Sequence, residues 1–365
     1  MRVAVLTSSR ADYSIYYPLL KKLKGDIFFQ LSLVVFGSHL GEKFGSTIDQ
    51  ILSDGFDVTA KIETLPSDKS PSDISKSIGE TIIKFSEFWK KNPYDLVFCL
   101  GDRYEMFAAC AASIPFNIKL AHIHGGEKTL GAIDDCFRHS ITHMASIHFT
   151  ASSVYYRRVI DLKQSSNQVY NVRALSFDNI KNLQFLSKDE FYKKFKINLN
   201  KKSILITFHP ETVSFERNLR YVETLINALH ELEGYQYIIT MPNSDTMGNL
   251  VREKLNSFIE TTPNSFGIES FGNIAYLTCM KYCSFLLGNT SSGFIEASYF
   301  SKPVINLGDR QKGRIVTANI INCEIKKELI IEAINRIQYL NDLDKTIIYG
   351  DGNAAEKIIS IIKSI

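Results

Sequence analysis

Short unbroken apolar runs alternate along this chain with longer stretches whose apolar residues recur at helical spacing. The runs at 3–6, 28–36, 56–62, 96–100, 118–123, 147–150 and 168–172 predict strands, and the first and fourth are apolar throughout, as strands buried on both faces are. Between them, helical spacing is expected over 15–24, 42–53, 73–91 and 152–162, with an Ala-rich helix after residue 103 and a polar loop at 66–72. The alternation pauses at 174–202, a polar, Lys-rich stretch. It resumes with strands expected at 203–208, 235–241, 266–271, 284–287 and 303–307 and helices at 215–232, 250–259, 275–282, 294–300, 326–340 and 354–365. Strand and helix in strict turn predict an α/β fold of doubly wound parallel sheets. The pause divides it into two Rossmann-like domains, 1–175 and 176–350, with 351–365 as a terminal helix. Sheets of this kind bind ligands at the carboxyl ends of their strands. Two of them are expected to face each other across a cleft.

Composition narrows the classes. The chain has 365 residues, 45% hydrophobic and 22% charged, as ordinary globular proteins have. Its net charge of +3 implies no general affinity for nucleic acid or membrane. No apolar run approaches the ~18 residues of a membrane span. The start, Met1-Arg-Val-Ala-Val-Leu6, reads as a strand without a signal-peptide cleavage region. The six cysteines form no CxxC pair and lie largely in apolar runs, which suits reduced, buried thiols and a cytoplasmic location.

Chemistry collects where the apolar runs stop. The first ends in Ser8-Ser9-Arg10-Ala11-Asp12 ahead of a helix, an arrangement suited to an anion, although Ser and Asp are also ordinary helix caps. The run 96–100 ends in Gly101-Asp102-Arg103, and 118–123 leads through His122 and His124 to Gly125-Gly126-Glu127. Asp134, Arg138 and His139 follow within one further helix. Asp102, Glu127 and Asp134 are three carboxylates near one set of strand ends, and unequal burial can make one an acid and another a base. Asp134 could equally cap its helix. His122, His124, His139 and His143 allow a zinc reading, weakened by the absence of a HExxH pattern. His209 follows a strand and could as easily be a core histidine. Gly288-Asn289-Thr290-Ser291-Ser292-Gly293 before a helix is a good diphosphate cradle, with Arg310 and Arg314 nearby. It is neither a Walker A loop nor a GxGxxG fingerprint.

These motifs, in this order, resemble the hydrolysing UDP-N-acetylglucosamine 2-epimerases of sialic-acid-type pathways. They are Ser9–Tyr13, Gly101-Asp102-Arg103, His122-Ile-His124-Gly-Gly-Glu127, Asp134 with Arg138-His139, His209-Pro210-Glu211-Thr212, the segment 288–293 with Glu296, and Asn306 through Arg314. The resemblance spans nearly the whole chain. It implies a glycosyltransferase-B-like fold whose last helix crosses back to the first domain. It also implies anti elimination of the nucleotide to a 2-acetamidoglycal, then hydration to the free 2-epimeric sugar, with no metal or other cofactor. The implied partners are a UDP-sugar and further copies of the chain, as a dimer or tetramer. The acid–base candidates are Asp102, Glu127 and Asp134, with His122, His124 and His209 beside them. The nucleotide and substrate candidates are Arg10, Asp12, Arg103, Arg138, Ser291, Ser292, Gly293, Arg310, Gln311 and Arg314, with Glu296 on the ribose hydroxyls. The non-hydrolysing bacterial relatives and the animal hydrolysing enzyme carry a glutamate where this chain has His124, so that role falls to His124 or Glu127. A glycosyltransferase or a non-catalytic nucleotide-sugar binder would share the scaffold. The apolar character of 128–137 favours a 4-acetamido-6-deoxy sugar as substrate beside UDP-N-acetylglucosamine.

Overall fold

The computed structural model of the protein describes residues 1–41, 47–64, 70–213, 215–242, 248–337, 339–340 and 348–365. The chain divides into two compact units. The first holds Met1–Glu127, Asp134–Lys181 and Ile348–Ile365, and the second holds Lys128–Ile133 and Asn182–Ile347.

Among the described residues the first unit carries seven strands: β1 (Arg2–Thr7), β2 (Gln30–Phe36), β3 (Val58–Ile62), β4 (Leu96–Leu100), β5 (Leu120–Ile123), β6 (Ile147–Thr150) and β7 (Val169–Asn171). They pair in parallel in the order β3-β2-β1-β4-β5-β6-β7. Alternate side chains of β1 enter different cores. Val3 and Val5 pack with Leu19, Leu20 and the C-terminal Ile358, whereas Ala4 and Leu6 pack with Phe85, Trp89 and Met106. Helices therefore cover both faces, and the strands are apolar throughout because neither face meets water. The terminal helix Ala354–Ser364 is fixed at its start by the buried Asp178, whose carboxylate accepts the N–H groups of Ala354 and Ala355 at 2.8 Å each.

The second unit has six strands among the described residues: β8 (Ser203–Thr207), β9 (Gln236–Thr240), β10 (Ser265–Ile268), β11 (Phe285–Gly288), β12 (Val304–Leu307) and β13 (Ile320–Cys323). Their order is β10-β9-β8-β11-β12-β13, again all parallel. Ile204, Ile206 and Leu287 pack against Val222, Leu255 and Ile334 of the covering helices. Each unit is thus Rossmann-like and doubly wound. The order reverses between β1 and β4 in one sheet and between β8 and β11 in the other, which is where such sheets hold ligands.

Several elements differ from the sequence expectation. The first helix begins at Arg10 rather than 15, because Ser9 and Asp12 form a capping box. The stretch 174–202 is not featureless: it holds helices Leu175–Asn182 and Lys188–Phe195, each short enough for its polar face to dominate the pattern. Strand β13 was not expected; its four residues include Asn322, which pairs with Asn306 at 2.9 Å. The helix expected at 294–300 shrinks to Glu296–Tyr299 after a 3₁₀ turn at Ser291–Gly293. The expected polar loop at 66–72 lies largely outside the described residues, as does the beginning of the helix at 42–53. Five of the six cysteines are buried and Cys136 is exposed. No helix among the described residues is long and apolar enough to cross a membrane.

Candidate active site

At the switch point of the first sheet, β1 ends in Ser8 and Ser9. Both oxygens of Asp12 are taken up there: Oδ2 accepts from Ser8 N at 2.8 Å and Oγ at 2.9 Å, and Oδ1 accepts from Ser9 N at 2.8 Å and Thr7 Oγ1 at 3.0 Å. Asp12 therefore shapes the loop that carries Arg10. The buried His39 braces the same loop, its Nε2 lying 2.9 Å from Thr7 Oγ1, and burial holds its pKa below the ordinary value.

The ends of β4 and β5 carry a second network. Arg138, buried on helix Asp134–Met144, donates from Nη1 to the His124 carbonyl at 3.0 Å and from Nη2 to Asp102. Glu127 Oε2 lies 3.9 Å from Nη1 of the same guanidinium. The other oxygen of Glu127 accepts from His124 Nδ1 at 2.7 Å. With Nδ1 donating, a neutral His124 keeps its lone pair on Nε2, which is buried without a hydrogen-bond partner among the described residues. His124 holds a positive φ of 65°, a conformation uncommon outside glycine. The following Gly126 has φ 79°, and a Cβ on it would lie 2.6 Å from the Tyr155 carbonyl oxygen. The backbone turn that presents His124 and Glu127 is thus built against the helix Ser153–Lys163.

His122 stands apart from this chemistry. It is wholly buried, with Nε2 2.8 Å from the Gly101 carbonyl and Nδ1 3.2 Å from Thr142 Oγ1. Burial lowers its pKa to about 3, so it is neutral and ties β5 to the loop that carries Asp102. Arg103 is engaged with the buried Glu105, at 3.2 Å from Nε and 3.0 Å from Nη2. Asp134 opens the helix of Arg138 four residues upstream, so the two share a helix face.

In the second unit the ends of β8, β11 and β12 are sewn together. Asn289 accepts from His209 N at 2.7 Å and donates to the His209 carbonyl at 2.8 Å. The Asn289 carbonyl accepts from Gln311 Nε2 at 2.9 Å and Arg310 Nη1 at 3.4 Å. Gln311 in turn accepts from Arg314 Nε at 2.6 Å. Gly288 must be glycine, because a Cβ would fall 2.0 Å from the Thr207 carbonyl oxygen. Ser292 Oγ lies 2.6 Å from the Tyr276 hydroxyl, whose pKa burial raises to about 12. The segment Lys128–Ile133 packs on this unit: Leu130 N donates to Lys312 O at 3.1 Å and Ile133 N to Thr212 Oγ1 at 3.0 Å.

A family model described as UDP-N-acetylglucosamine 2-epimerase matches residues 21–363. The chain belongs to this epimerase family. It is 34% identical over 325 residues to the GDP/UDP-N,N'-diacetylbacillosamine 2-epimerase (hydrolyzing) of Campylobacter jejuni, covering 89% of this chain and 84% of that one. It is 31% identical over 370 residues to the UDP-N,N'-diacetylbacillosamine 2-epimerase (hydrolyzing) of Legionella pneumophila, covering 100% and 96%. The epimerase fold itself matches the crystal structure of the Neisseria meningitidis UDP-GlcNAc 2-epimerase bound to UDP-GlcNAc, with a TM-score of 0.86 at 17% identity and full coverage of both chains. This epimerase is therefore an enzyme of the hydrolysing 2-epimerase type.

Within the epimerase, Asp102, Glu127, His124 and Arg138 come together, and so do His209, Arg310, Gln311 and Arg314 around Asn289. Arg138, Gln311 and Arg314 are buried and hydrogen-bonded within the fold. The Asp12 carboxylate and the His122 ring are likewise hydrogen-bonded within the fold. Both side chains spend their polar atoms inside the fold. Sequence reasoning did not single out Asn289, Glu105 or Thr142 as supports. Only Asn289 carried a signal, its place between Gly288 and the hydroxyl residues.

Proposed function

We propose that this enzyme cleaves a UDP-linked 2-acetamido sugar and releases the free 2-epimer and UDP. A base takes the proton from C2 while the C1–O bond to the nucleotide breaks, leaving a glycal and UDP. Water then adds at C1 and a proton returns to C2 from the opposite face. The observation that carries this reading is the His124–Glu127 pair beside Asp102. A carboxylate on Nδ1 orients the ring and leaves Nε2 as the acceptor, the pattern of a general base held in one tautomer. Asp102, steadied by Arg138, and Asp134 are the remaining proton carriers. His122 positions the Asp102 loop.

Cations hold the leaving diphosphate in this reading. Arg10 at the end of β1 and Arg310 after β12 supply charge, with His209, Ser291, Ser292 and Gly293 as neighbouring donors and Glu296 for the ribose hydroxyls. Because the Ser291–Gly293 turn leads into a helix of only four residues, charge rather than a helix dipole carries the anion.

The sugar we assign is the 2,4-diacetamido-2,4,6-trideoxy type, with UDP-N-acetylglucosamine as the weaker substrate. Support comes from the substrates named for the Campylobacter and Legionella relatives. Leu130 and Ile133, ahead of Asp134, also keep apolar side chains exposed, suited to a methyl and an acetamide. The test is kcat/KM on both nucleotide sugars, with products read by NMR. A preference above about tenfold (~1.4 kcal/mol) for UDP-N-acetylglucosamine rejects the diacetamido assignment. Transfer to an acceptor without free 2-epimer rejects the reaction.

A further inference from the structure

Glu211 has no place in the chemistry above, yet it is buried to 4% exposure and carries a carboxylate. Its backbone is locked by Asn218: Glu211 N donates to Asn218 Oδ1 at 2.8 Å, and Asn218 Nδ2 donates to the Glu211 carbonyl at 2.9 Å. Its side chain reaches the turn after β12. Oε1 accepts the Asp309 N–H at 2.8 Å, and the carboxylate also accepts the Arg310 N–H. Gly308 approaches so closely that a Cβ there would lie 2.6 Å from Oε1, and its φ of +69° is one that side chains rarely adopt. Successive amides aimed at one anion form a fixed concave turn.

From this geometry we infer that Glu211 is the positioning residue for Arg310. It fixes the backbone from which the guanidinium reaches the Asn289 carbonyl and, on the reading proposed above, the nucleotide diphosphate. The cause is local and electrostatic. A buried amide without an acceptor is costly, so the turn adopts the one conformation that satisfies both N–H groups with a single carboxylate. Burial pushes the Glu211 carboxyl upward in pKa, opposed chiefly by the Asp309 amide it accepts and also by the Arg310 amide and charge. His209 and Glu211 thus act on different strand ends from one tetrapeptide. His209 clamps Asn289 after β11, and Glu211 clamps Asp309 and Arg310 after β12.

This inference rests on Arg310 contacting the diphosphate, and the two are separable by calorimetry with UDP on four proteins: wild type, Glu211→Ala, Arg310→Ala and the double variant. Arg310→Ala should weaken UDP roughly 10–100-fold; an unchanged Kd overturns the diphosphate reading itself. Glu211→Ala should lose affinity by a similar factor and add almost nothing in the Arg310→Ala background, because the group it positions is gone. Multiplied losses, or full UDP affinity in Glu211→Ala when Arg310→Ala is impaired, overturn the positioning role. Glu211→Gln keeps one carbonyl acceptor for the turn and should bind UDP within about threefold of wild type. It serves alone if the alanine variant does not fold. A loss in a folded Glu211→Gln equal to that of Arg310→Ala overturns the inference.

Discussion

His124 Nδ1 lies 2.7 Å from Glu127 Oε1, while the far nitrogen of the same ring is buried without a hydrogen-bond partner among the described residues. A buried polar atom left open is costly to keep. The pair fixes which nitrogen of His124 carries the proton.

Glu127→Gln removes the carboxylate and leaves an amide facing Nδ1. The ring loses its preferred tautomer, and kcat should fall roughly 10²–10⁴-fold. UDP affinity should stay near wild type. Retained turnover in this variant, measured by UDP release, removes the dyad from the mechanism.

Arg138→Lys keeps the charge and loses the fork. One ammonium cannot serve both the His124 carbonyl and Asp102, which the two guanidinium nitrogens serve now. Misplacing Asp102 should lower kcat on the order of 10²-fold with little change in UDP affinity. If KM rises and kcat does not, Arg138 binds substrate directly.

Acid should destabilise the protein through two buried histidines. Burial lowers His122 to about 3 and His148 to about 4. In the unfolded chain both return to about 6.5, so below that pH the unfolded chain binds protons that the native state refuses. Their stabilisation is complete above pH ~6.5 and is lost as pH falls toward the native values. Urea unfolding at pH 7.5 and 5 should show the loss, and His148→Gln should reduce it by about 1–2 kcal/mol. An identical pH slope in the variant contradicts this account.

Gly131→Ala should be felt through the backbone. A Cβ at Gly131 would lie 2.5 Å from both Arg310 Cα and the Asp309 carbonyl oxygen, atoms that cannot rotate away. The expected cost is about 1–3 kcal/mol, read as a lower Tm, with weaker UDP binding because the Arg310 turn must shift. A wild-type Tm would show that the segment Lys128–Ile133 yields without cost.

Chelation provides a separate check on the histidines. His122 is enclosed by Gly101 and Thr142, and His124 by Glu127, so their nitrogens do not converge. Activity should survive prolonged EDTA treatment. Loss of activity that zinc restores would return the zinc reading.

The two doubly wound sheets, and the strand ends where chemistry gathers, were legible in the amino-acid sequence. Leu96–Leu100 and Ser203–Thr207 are buried throughout, and a strand covered on both faces announces itself as an unbroken apolar run. Glycine and polar residues then mark its carboxyl end. The short helices at Leu175–Asn182 and Lys188–Phe195 and strand β13 escaped because so few residues do not establish a period against polar neighbours. Which polar side chains are hydrogen-bonded inside the fold became visible in three dimensions. Asp12, His122, Arg138, Gln311 and Arg314 read from the sequence as site residues, like Asp102 and Arg310. The partners of His122, Arg138 and Gln311 come from segments neighbouring in the fold but distant in the chain, whereas those of Asp12 and Arg314 are local. Hydrogen-bond satisfaction is a property of that neighbourhood, not of the residue type.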